Sequence, residues 1–182
     1  MRCFLAVDLP MEIKKNIGEV AREAKRVGLR GSFVPQEQIH VTLAFFGEVS
    51  EAQIEEKKRV LERECATTAP FNVKVKGVGF LPDSRRPRVF YAAADSPALI
   101  GLQKKLALAL RYDEGRPFHA HATIARLKPG FNRDALEHLI EKFGGAEFGE
   151  FEARELAFKK STLTRGGAIH ETIARIPLAQ TE

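Results

Sequence analysis

Cysteine is scarce in this sequence, since only Cys3 and Cys65 occur among 182 residues. Both lie in apolar patterns, which is typical of small buried residues in a reducing compartment rather than of a disulfide framework. No apolar run approaches the roughly eighteen residues that a membrane span needs, and residues 2–9 are too short and too soon followed by charges for a signal peptide. We therefore expect free thiols, no membrane partner and a cytoplasmic protein.

The sequence also lacks a strong charge imbalance and a flexible linker. It has 29 Lys and Arg against 24 Asp and Glu, a net charge of +5 without a basic tail, which mildly favours a polyanionic partner. Apolar residues make up 44% of the chain, enough for one globular domain. No segment rich in Pro, Gly or Ser separates the two halves, and no long exposed apolar face is apparent. We expect residues 1–182 to form a single domain of two packed lobes, and the protein to be a monomer.

The order of predicted elements occurs twice, as strand, helix, strand, helix, strand. The predicted strands are Arg2–Leu9, Ile39–Phe46, Phe71–Lys76, Arg88–Ala94, Ala120–Leu127, Glu152–Thr162 and Ile169–Leu178, the last two around a Gly166-Gly167 turn. The predicted helices begin near Pro10, Ser50, Ser96 and Asn132, and Ser50 with Gln53 three residues later forms a capping-box pattern. The spacing from Ser50 to Phe71 and from Asn132 to Ala153, each in the strand that follows the helix, is 21 residues. This agreement predicts a duplication, with repeats at approximately 1–84 and 85–182.

The second strand of each repeat carries the same tetrad of His, apolar, Thr, apolar. The tetrads are residues 40–43 (His-Val-Thr-Leu) and 121–124 (His-Ala-Thr-Ile). Because side chains alternate faces along a strand, each repeat presents an imidazole and a hydroxyl on one face, about 7 Å apart. A histidine in a sheet is often only a satisfied, partly buried residue, and threonine simply favours strands. Two copies in matching places of a repeat favour a functional interpretation.

Two histidines that face each other across a cleft suit a proton-transfer reaction. Imidazole has a reference pKa of about 6.5, so one ring can accept a proton while the other donates one near neutral pH. The threonine hydroxyls are suited to hold nonbridging phosphate oxygens, and a nearby arginine would stabilise their charge. The pattern predicts in-line attack on a phosphodiester without a metal. Pseudo-symmetry leaves open which histidine is the acid and which the base.

On these motifs the sequence resembles the two-histidine (2H) phosphoesterase superfamily, and within it the RNA 2′,3′-cyclic phosphodiesterase family, historically called 2′-5′ RNA ligase. The matching segments are residues 2–8 (RCFLAVD), 40–48 (HVTLAFFGE), 86–89 (RPRV), 121–126 (HATIAR) and 161–164 (STLT). The resemblance implies a bilobal α+β fold, in which antiparallel sheets related by a pseudo-twofold flank a central cleft. It implies hydrolysis of a terminal 2′,3′-cyclic phosphate on RNA to a 2′-phosphate, with no metal or other cofactor. A reversible 2′-5′ ligation of tRNA halves is implied as a weak side activity.

The resemblance also implies roles for six residues. His40 and His121 would be the catalytic acid-base pair, and Thr42 and Thr123 would bind the phosphate. Arg126 matches the family arginine five residues after the second histidine and would also contact the phosphate. Phe45 stands at the equivalent place in the first repeat and would stack on a nucleobase.

An offset of five residues places Phe45 and Arg126 on the opposite face of a regular strand from the histidines. A bulge or the end of the strand must therefore turn them inward. Without such a bulge, Phe45 is a core residue and Arg126 is a solvated charge at the end of its strand.

The sequence departs from the family pattern at two positions. Ala120 stands where many members have proline, and His170 where tyrosine is common, which leaves the pH profile of this member open. His119 and His121 form a His-x-His pair, but no carboxylate or cysteine nearby completes a metal site. The densest basic cluster, Arg85, Arg86 and Arg88, lies between the repeats. Further basic groups that could follow an RNA backbone are Lys74 with Lys76, and Lys159, Lys160 and Arg165.

Two alternative functions remain at this point. A phosphodiesterase of linear 2′-5′ oligonucleotides would use the same residues in a cleft with different walls. A non-catalytic module that binds RNA ends would use the His-Thr pairs only to hold a terminal phosphate.

Overall fold

The computed structural model describes residues 1–164 and 167–180. Within them the strands are β1 (Arg2–Asp8), β2 (Gly31–Phe33), β3 (His40–Glu48), β4 (Phe71–Leu81), β5 (Val89–Asp95), β6 (His121–Leu127), β7 (Glu147–Ala153), β8 (Glu155–Thr164) and β9 (Gly167–Pro177). The helices are α1 (Met11–Arg26), α2 (Glu51–Cys65), α3 (Pro97–Ala109) and α4 (Arg133–Phe143). Gly166 of the predicted turn and Arg165 of the predicted basic groups lie outside the described residues. No helix in the described ranges is both long and apolar enough to span a bilayer.

All strand pairs are antiparallel and belong to one sheet of nine strands, in the order β7-β4-β5-β6-β3-β1-β8-β9, with β2 added beside β6. The two halves of the sheet meet where Val41 of β3 pairs with Ala122 of β6. The third strand of the first repeat, β4, pairs with β5 of the second repeat. In return, β8 of the second repeat pairs with β1. Each half of the sheet therefore contains strands from both halves of the sequence.

The sheet is strongly curled, as one short connection demonstrates. Arg154 alone separates β7 from β8, although these are the first and the seventh strands in the sheet order. Two peptide units span at most about 7 Å. The sheet must therefore bend until these two strands lie next to each other, and this curl produces a concave inner face.

The helices cover the outer face of the sheet. In α1, the apolar residues at helical spacing are buried (Ile13, Ile17, Val20 and Ala24). The capping box predicted for α2 is present, because Ser50 Oγ accepts from the Gln53 amide at 3.3 Å and Gln53 Oε1 accepts from the Ser50 amide at 2.9 Å. The apolar residues of both tetrads are buried on this outer side, which leaves the inner face to the histidines and threonines.

Two details of the fold differ from the sequence-based prediction. The predicted strand Glu152–Thr162 is two strands, β7 and β8, divided at Arg154. No glycine or proline marks that break, because the chain passes from the edge strand β7 to the inner strand β8 without a turn. The three-residue strand β2 was not predicted, since it lies directly after the glycine-containing break at residues 28–31 and is only partly buried.

Strand β2 depends on a glycine for its close approach to β6. A Cβ atom on Gly31 would lie 2.7 Å from the carbonyl oxygen of Arg126 and 3.3 Å from its carbonyl carbon. Backbone atoms cannot rotate away as a side chain can, so the strand itself would have to move. Gly31 thus lets β2 support the segment of β6 that carries Arg126.

We expect Gly31→Ala to destabilise the protein by about 1–3 kcal/mol, because the new methyl group meets backbone. Gly101→Ala is the matched control, since Gly101 lies in α3 and a Cβ there meets nothing within 4 Å. Alanine in a helix interior should raise stability by up to about 1 kcal/mol. Chemical denaturation gives both values. Equal changes in the two variants would contradict the close approach of β2.

Candidate active site

The four polar residues of the tetrads form a square on the inner face of the sheet. Counting outward from the pair of Val41 and Ala122, the antiparallel register places His40 opposite Thr123 and Thr42 opposite His121. Directly opposed residues are about 5 Å apart, and diagonal neighbours about 7–8 Å. The two histidines occupy one diagonal of this square. His40 and His121, which are 81 positions apart in the sequence, therefore lie close together on one face of the sheet.

A bulge at the same position of each repeat turns Phe45 and Arg126 inward. On β3, Leu5 and Ala6 of β1 pair with Ala44 and Thr42, so Leu43 is left without a partner. On β6, Phe90 and Tyr91 pair with Ala125 and Thr123, which leaves Ile124 as the extra residue.

The burial of successive residues agrees with both bulges. In each strand two consecutive buried residues precede an exposed one, which is Phe45 in β3 and Arg126 in β6. The bulge required by the sequence argument is therefore present, and the inner face carries both side chains.

The ring of His40 is fixed from two sides. Its Nδ1 lies 2.7 Å from the carbonyl oxygen of Gln38, and because a carbonyl only accepts, Nδ1 carries the hydrogen. Its Nε2 lies 3.1 Å from Thr42 Oγ1, the hydroxyl of the same strand. Phe4 stacks on the ring at 5.0 Å between centroids. The orientation and tautomer leave Nε2 as the proton acceptor.

His121 has the equivalent arrangement in the second repeat. Its Nδ1 donates to the carbonyl oxygen of His119 at 2.7 Å, again two residues earlier in the sequence. The ring of Tyr91 packs edge-on against it at 5.4 Å, and against His119 at 5.0 Å. Both histidines thus direct Nε2 away from a backbone anchor. Backbone carbonyls carry no sequence signal, so neither anchor was predictable.

Comparison with known proteins assigns this arrangement to a family. The family described as LigT like Phosphoesterase matches residues 7–91 and 93–170. The RNA 2′,3′-cyclic phosphodiesterase of Methanocaldococcus jannaschii is 35% identical over 176 residues, which cover 95% of this chain and 98% of that protein. The protein of the same name from Aquifex aeolicus is 35% identical over 170 residues, 87% of this chain and 89% of its own length.

The chain belongs to the LigT-like phosphoesterase family. Solved structures agree with this assignment. The crystal structure of TT0787 of Thermus thermophilus superimposes with a TM-score of 0.82 at 27% identity, and that of E. coli LigT complexed with 3′-AMP with a TM-score of 0.79 at 26% identity. Each comparison covers 98% of both chains. The predicted family, the α+β fold of duplicated lobes and the assignment as a phosphoesterase are confirmed.

The phosphoesterase site holds both histidines neutral in the free protein. Burial lowers the pKa of His40 to about 4, and the positive charges of His170 and Lys159 act in the same direction. Burial also lowers the pKa of His121, helped by His119, Arg116 and Arg126. A bound phosphate group brings negative charge to both rings, and an opposite charge raises the pKa of a histidine. Substrate itself would therefore supply the conditions for protonating one of them.

His170 lines the wall of the first lobe. Its ring centroid lies 5.4 Å from that of His40 and 4.9 Å from that of Phe4, both edge-on. Burial lowers its pKa, and Lys159 and Arg126 add to the effect. The sequence left the role of this residue open, and the structure places it in direct contact with the site.

Several residues at the site were not recognised from the sequence as part of it. Phe4 and Asp8 lie within a family segment but had no assigned role. Asp8 accepts an ion pair from Lys159 at 2.8 Å, and both charges act on the pKa of His40. Tyr112, which follows α3, accepts a hydrogen bond from the Phe45 amide at 2.9 Å and so supports the first bulge.

Other sequence candidates lie apart from the site or do not form one. Lys74 and Lys76 form ion pairs with Glu147 at 3.0 and 3.2 Å, in the outermost strands of the sheet. Across residues 1–164 and 167–180, no three His, Cys, Asp or Glu side chains come close enough together to hold a metal ion. The pair of His119 and His121 has ring centroids 5.7 Å apart.

The low pKa of His40 predicts how stability varies with pH. The unfolded chain binds a proton at His40 below pH about 6.5, whereas the folded protein does so only below about 4. The unfolded state therefore holds more protons between these values, and the free energy of unfolding falls as the pH drops from about 6.5 to about 4.

We expect His40→Gln to show a shallower decrease over the same pH window, because this proton difference is lost. Denaturation at half-unit pH steps measures both curves, and subtracting them removes the contribution of carboxylates common to the two proteins. Parallel curves would show that His40 titrates normally.

Proposed function

We propose that this protein hydrolyses RNA 2′,3′-cyclic phosphate ends to 2′-phosphomonoesters with His40 and His121 as the acid-base pair. The observation that carries the proposal is the square of two histidines and two threonines on one sheet face, in which both histidines have Nδ1 anchored. The names of the M. jannaschii and A. aeolicus relatives support the same substrate.

The proposed reaction needs two proton transfers. One neutral imidazole takes a proton from water through Nε2 as the water oxygen forms a bond to phosphorus. The bond from phosphorus to the ribose O3′ breaks, and the second histidine, protonated in the complex, delivers its proton to O3′. The products are a 2′-phosphate and a free 3′-hydroxyl. Which histidine plays which part depends on how the ribose is placed between the two rings.

The remaining residues of the site stabilise charge and hold the substrate. Thr42 and Thr123 are placed to donate hydrogen bonds to nonbridging oxygens, and Arg126 to neutralise the charge that develops there. The charge of Arg126 acts on the pKa of both His121 and His170, which puts it in range of both lobes. Phe45 is 47% exposed and lies 5.8 Å from Phe4 between centroids, a position suited to stacking on a base.

The proposal also includes a ligation reaction, an oligomeric state and a cellular location. If a 5′-hydroxyl of a second RNA replaces water, its oxygen bonds to phosphorus, O3′ leaves, and the product is a 2′-5′ linkage, as would join tRNA halves. Water is far more concentrated than any RNA end, so this is a side activity. We propose a monomer that acts in the cytoplasm, where the buried free thiols Cys3 and Cys65 remain reduced.

We expect His40→Ala and His121→Ala each to reduce hydrolysis of a 2′,3′-cyclic phosphate oligonucleotide by about a hundredfold or more, since each removes a proton-transfer group. The assay contains a chelator, and the position of the product phosphate is identified. His138→Ala is the matched control, because His138 lies on α4 and bonds to Glu23 at 2.7 Å. It should retain full activity.

Three outcomes would contradict the proposal. Full activity in either His variant would remove that residue from the reaction. Turnover of 2′-5′ linked oligonucleotides but not of cyclic ends would favour the linear phosphodiesterase. Tight binding of phosphorylated ends without turnover at any pH would favour the binding module.

A further inference from the structure

The arginines and lysines of this protein include two contrasting sets. On the outer surface many of them are neutralised, as Lys74, Lys76, Lys142, Lys160 and Arg175 are by glutamates. A second group surrounds one end of the cleft, and no ion pair neutralises it within the described residues. This group consists of Arg30, Arg85, Arg86, Arg88 and Lys128, and we call it the arginine rim.

The residues of the arginine rim lie next to one another in the fold. Strand β6 ends there, and its last residues bond to the segments on either side. The Leu127 amide donates to the Arg88 carbonyl at 2.8 Å, and the Lys128 amide to the Arg30 carbonyl at 3.1 Å. The starts of β2 and β5 therefore meet the end of β6, and all three segments contribute a basic side chain.

The loop before β5 adds the two charges of Arg85 and Arg86, whose backbone amides and positive charges both lower the pKa of the nearby Asp83 carboxyl. Asp83 is its carboxylate, and Oδ1 accepts the backbone amides of Arg85 and Arg86 at 2.7 and 3.0 Å. The acid thus fixes the turn, and it forms no ion pair with the guanidinium groups of the rim. All five basic side chains of the rim are exposed.

The opposite end of the cleft, related by the pseudo-twofold, is different. Phe45 stands there in place of Arg126, and Glu48 lies 3.1 Å from the N-terminal amine. Lys160 is paired with Glu171 at 3.4 Å. One end of the cleft therefore carries five exposed basic side chains that form no ion pair in the described residues. The other end carries Phe45 and the exposed Arg2 beside charges that are mostly paired. This difference in charge between the two ends of the cleft favours one direction for a polyanion that extends from the site.

We infer that the arginine rim binds the backbone phosphates of single-stranded RNA on the 5′ side of the terminal phosphate. This inference rests on the proposed function, which places the 3′ end of an RNA at the histidines. From Thr123 to Arg126 and Lys128 is about 10 and 17 Å along the strand. That distance corresponds to about three to five stacked nucleotides. The protein should therefore discriminate RNA ends by the length of chain attached to them.

Binding of labelled RNAs of two and eight nucleotides with a 2′-phosphate end tests this inference. Fluorescence anisotropy at several salt concentrations gives the affinities. The eight-nucleotide RNA should bind at least tenfold more tightly to the natural protein and with a steeper salt dependence. In the triple variant R85S/R86S/R88S the advantage should largely disappear, and the slope of log K against log salt should fall by about 2, since each lost phosphate contact contributes about 0.7.

A triple variant K15S/R59S/K104S is the matched control. It removes the same charge from exposed residues of α1, α2 and α3 that form no ion pair within the described part of the chain. It should keep most of the length advantage. Loss of the length advantage in both variants would show that net charge alone causes it and would overturn the inference. An unchanged length advantage in R85S/R86S/R88S, or no length advantage in the natural protein, would also overturn it.

Hydrolysis of a dinucleotide 2′,3′-cyclic phosphate separates this inference from the proposed function. R85S/R86S/R88S should cleave it at the natural rate, because the rim lies beyond the reach of so short a substrate. If the natural protein cleaves neither the dinucleotide nor an eight-nucleotide RNA with the same cyclic end, the proposed function fails, whereas the binding comparison still decides whether the rim holds RNA.

Discussion

The site depends on one backbone pairing, that of Val41 with Ala122 at the centre of the sheet. The pairing joins the two repeats and sets the register that puts each histidine diagonal to the other. A shift of β3 by one residue would turn His40 and Thr42 into the core and expose Val41. Because Val41 and Ala122 must be buried on the outer face, the positions of the histidines and threonines on the inner face are fixed.

On the inner face the two histidines are held in fixed positions and have a low affinity for protons. Phe4 on one side and Tyr91 on the other desolvate the rings, and backbone carbonyls hold each Nδ1 hydrogen. Burial of an imidazole disfavours its charged form, so the free site is neutral and selects a ligand that brings negative charge. Arg126 and Lys159 reinforce that selection from opposite lobes, and the arginine rim extends it along the rest of an RNA strand.

Much of this was predictable from the sequence because the information is periodic or repeated. The two tetrads, the capping box at Ser50 and the need for a bulge before Phe45 and Arg126 all followed from local pattern, and the structure contains each of them. The exchange of β4 and β8 between the repeats could not be predicted from the sequence, since strand pairing depends on long-range packing. The carbonyls of Gln38 and His119 were also hidden, because any residue offers the same backbone atoms.

We propose that the two Nε2 atoms act on a single phosphorus, and a crystal structure of the protein with a nucleoside 2′-phosphate tests this most directly. We expect one phosphate group with oxygens about 2.6–3.2 Å from Nε2 of both His40 and His121. A phosphate that contacts one ring alone, or that binds elsewhere while the rings remain apart, would contradict it.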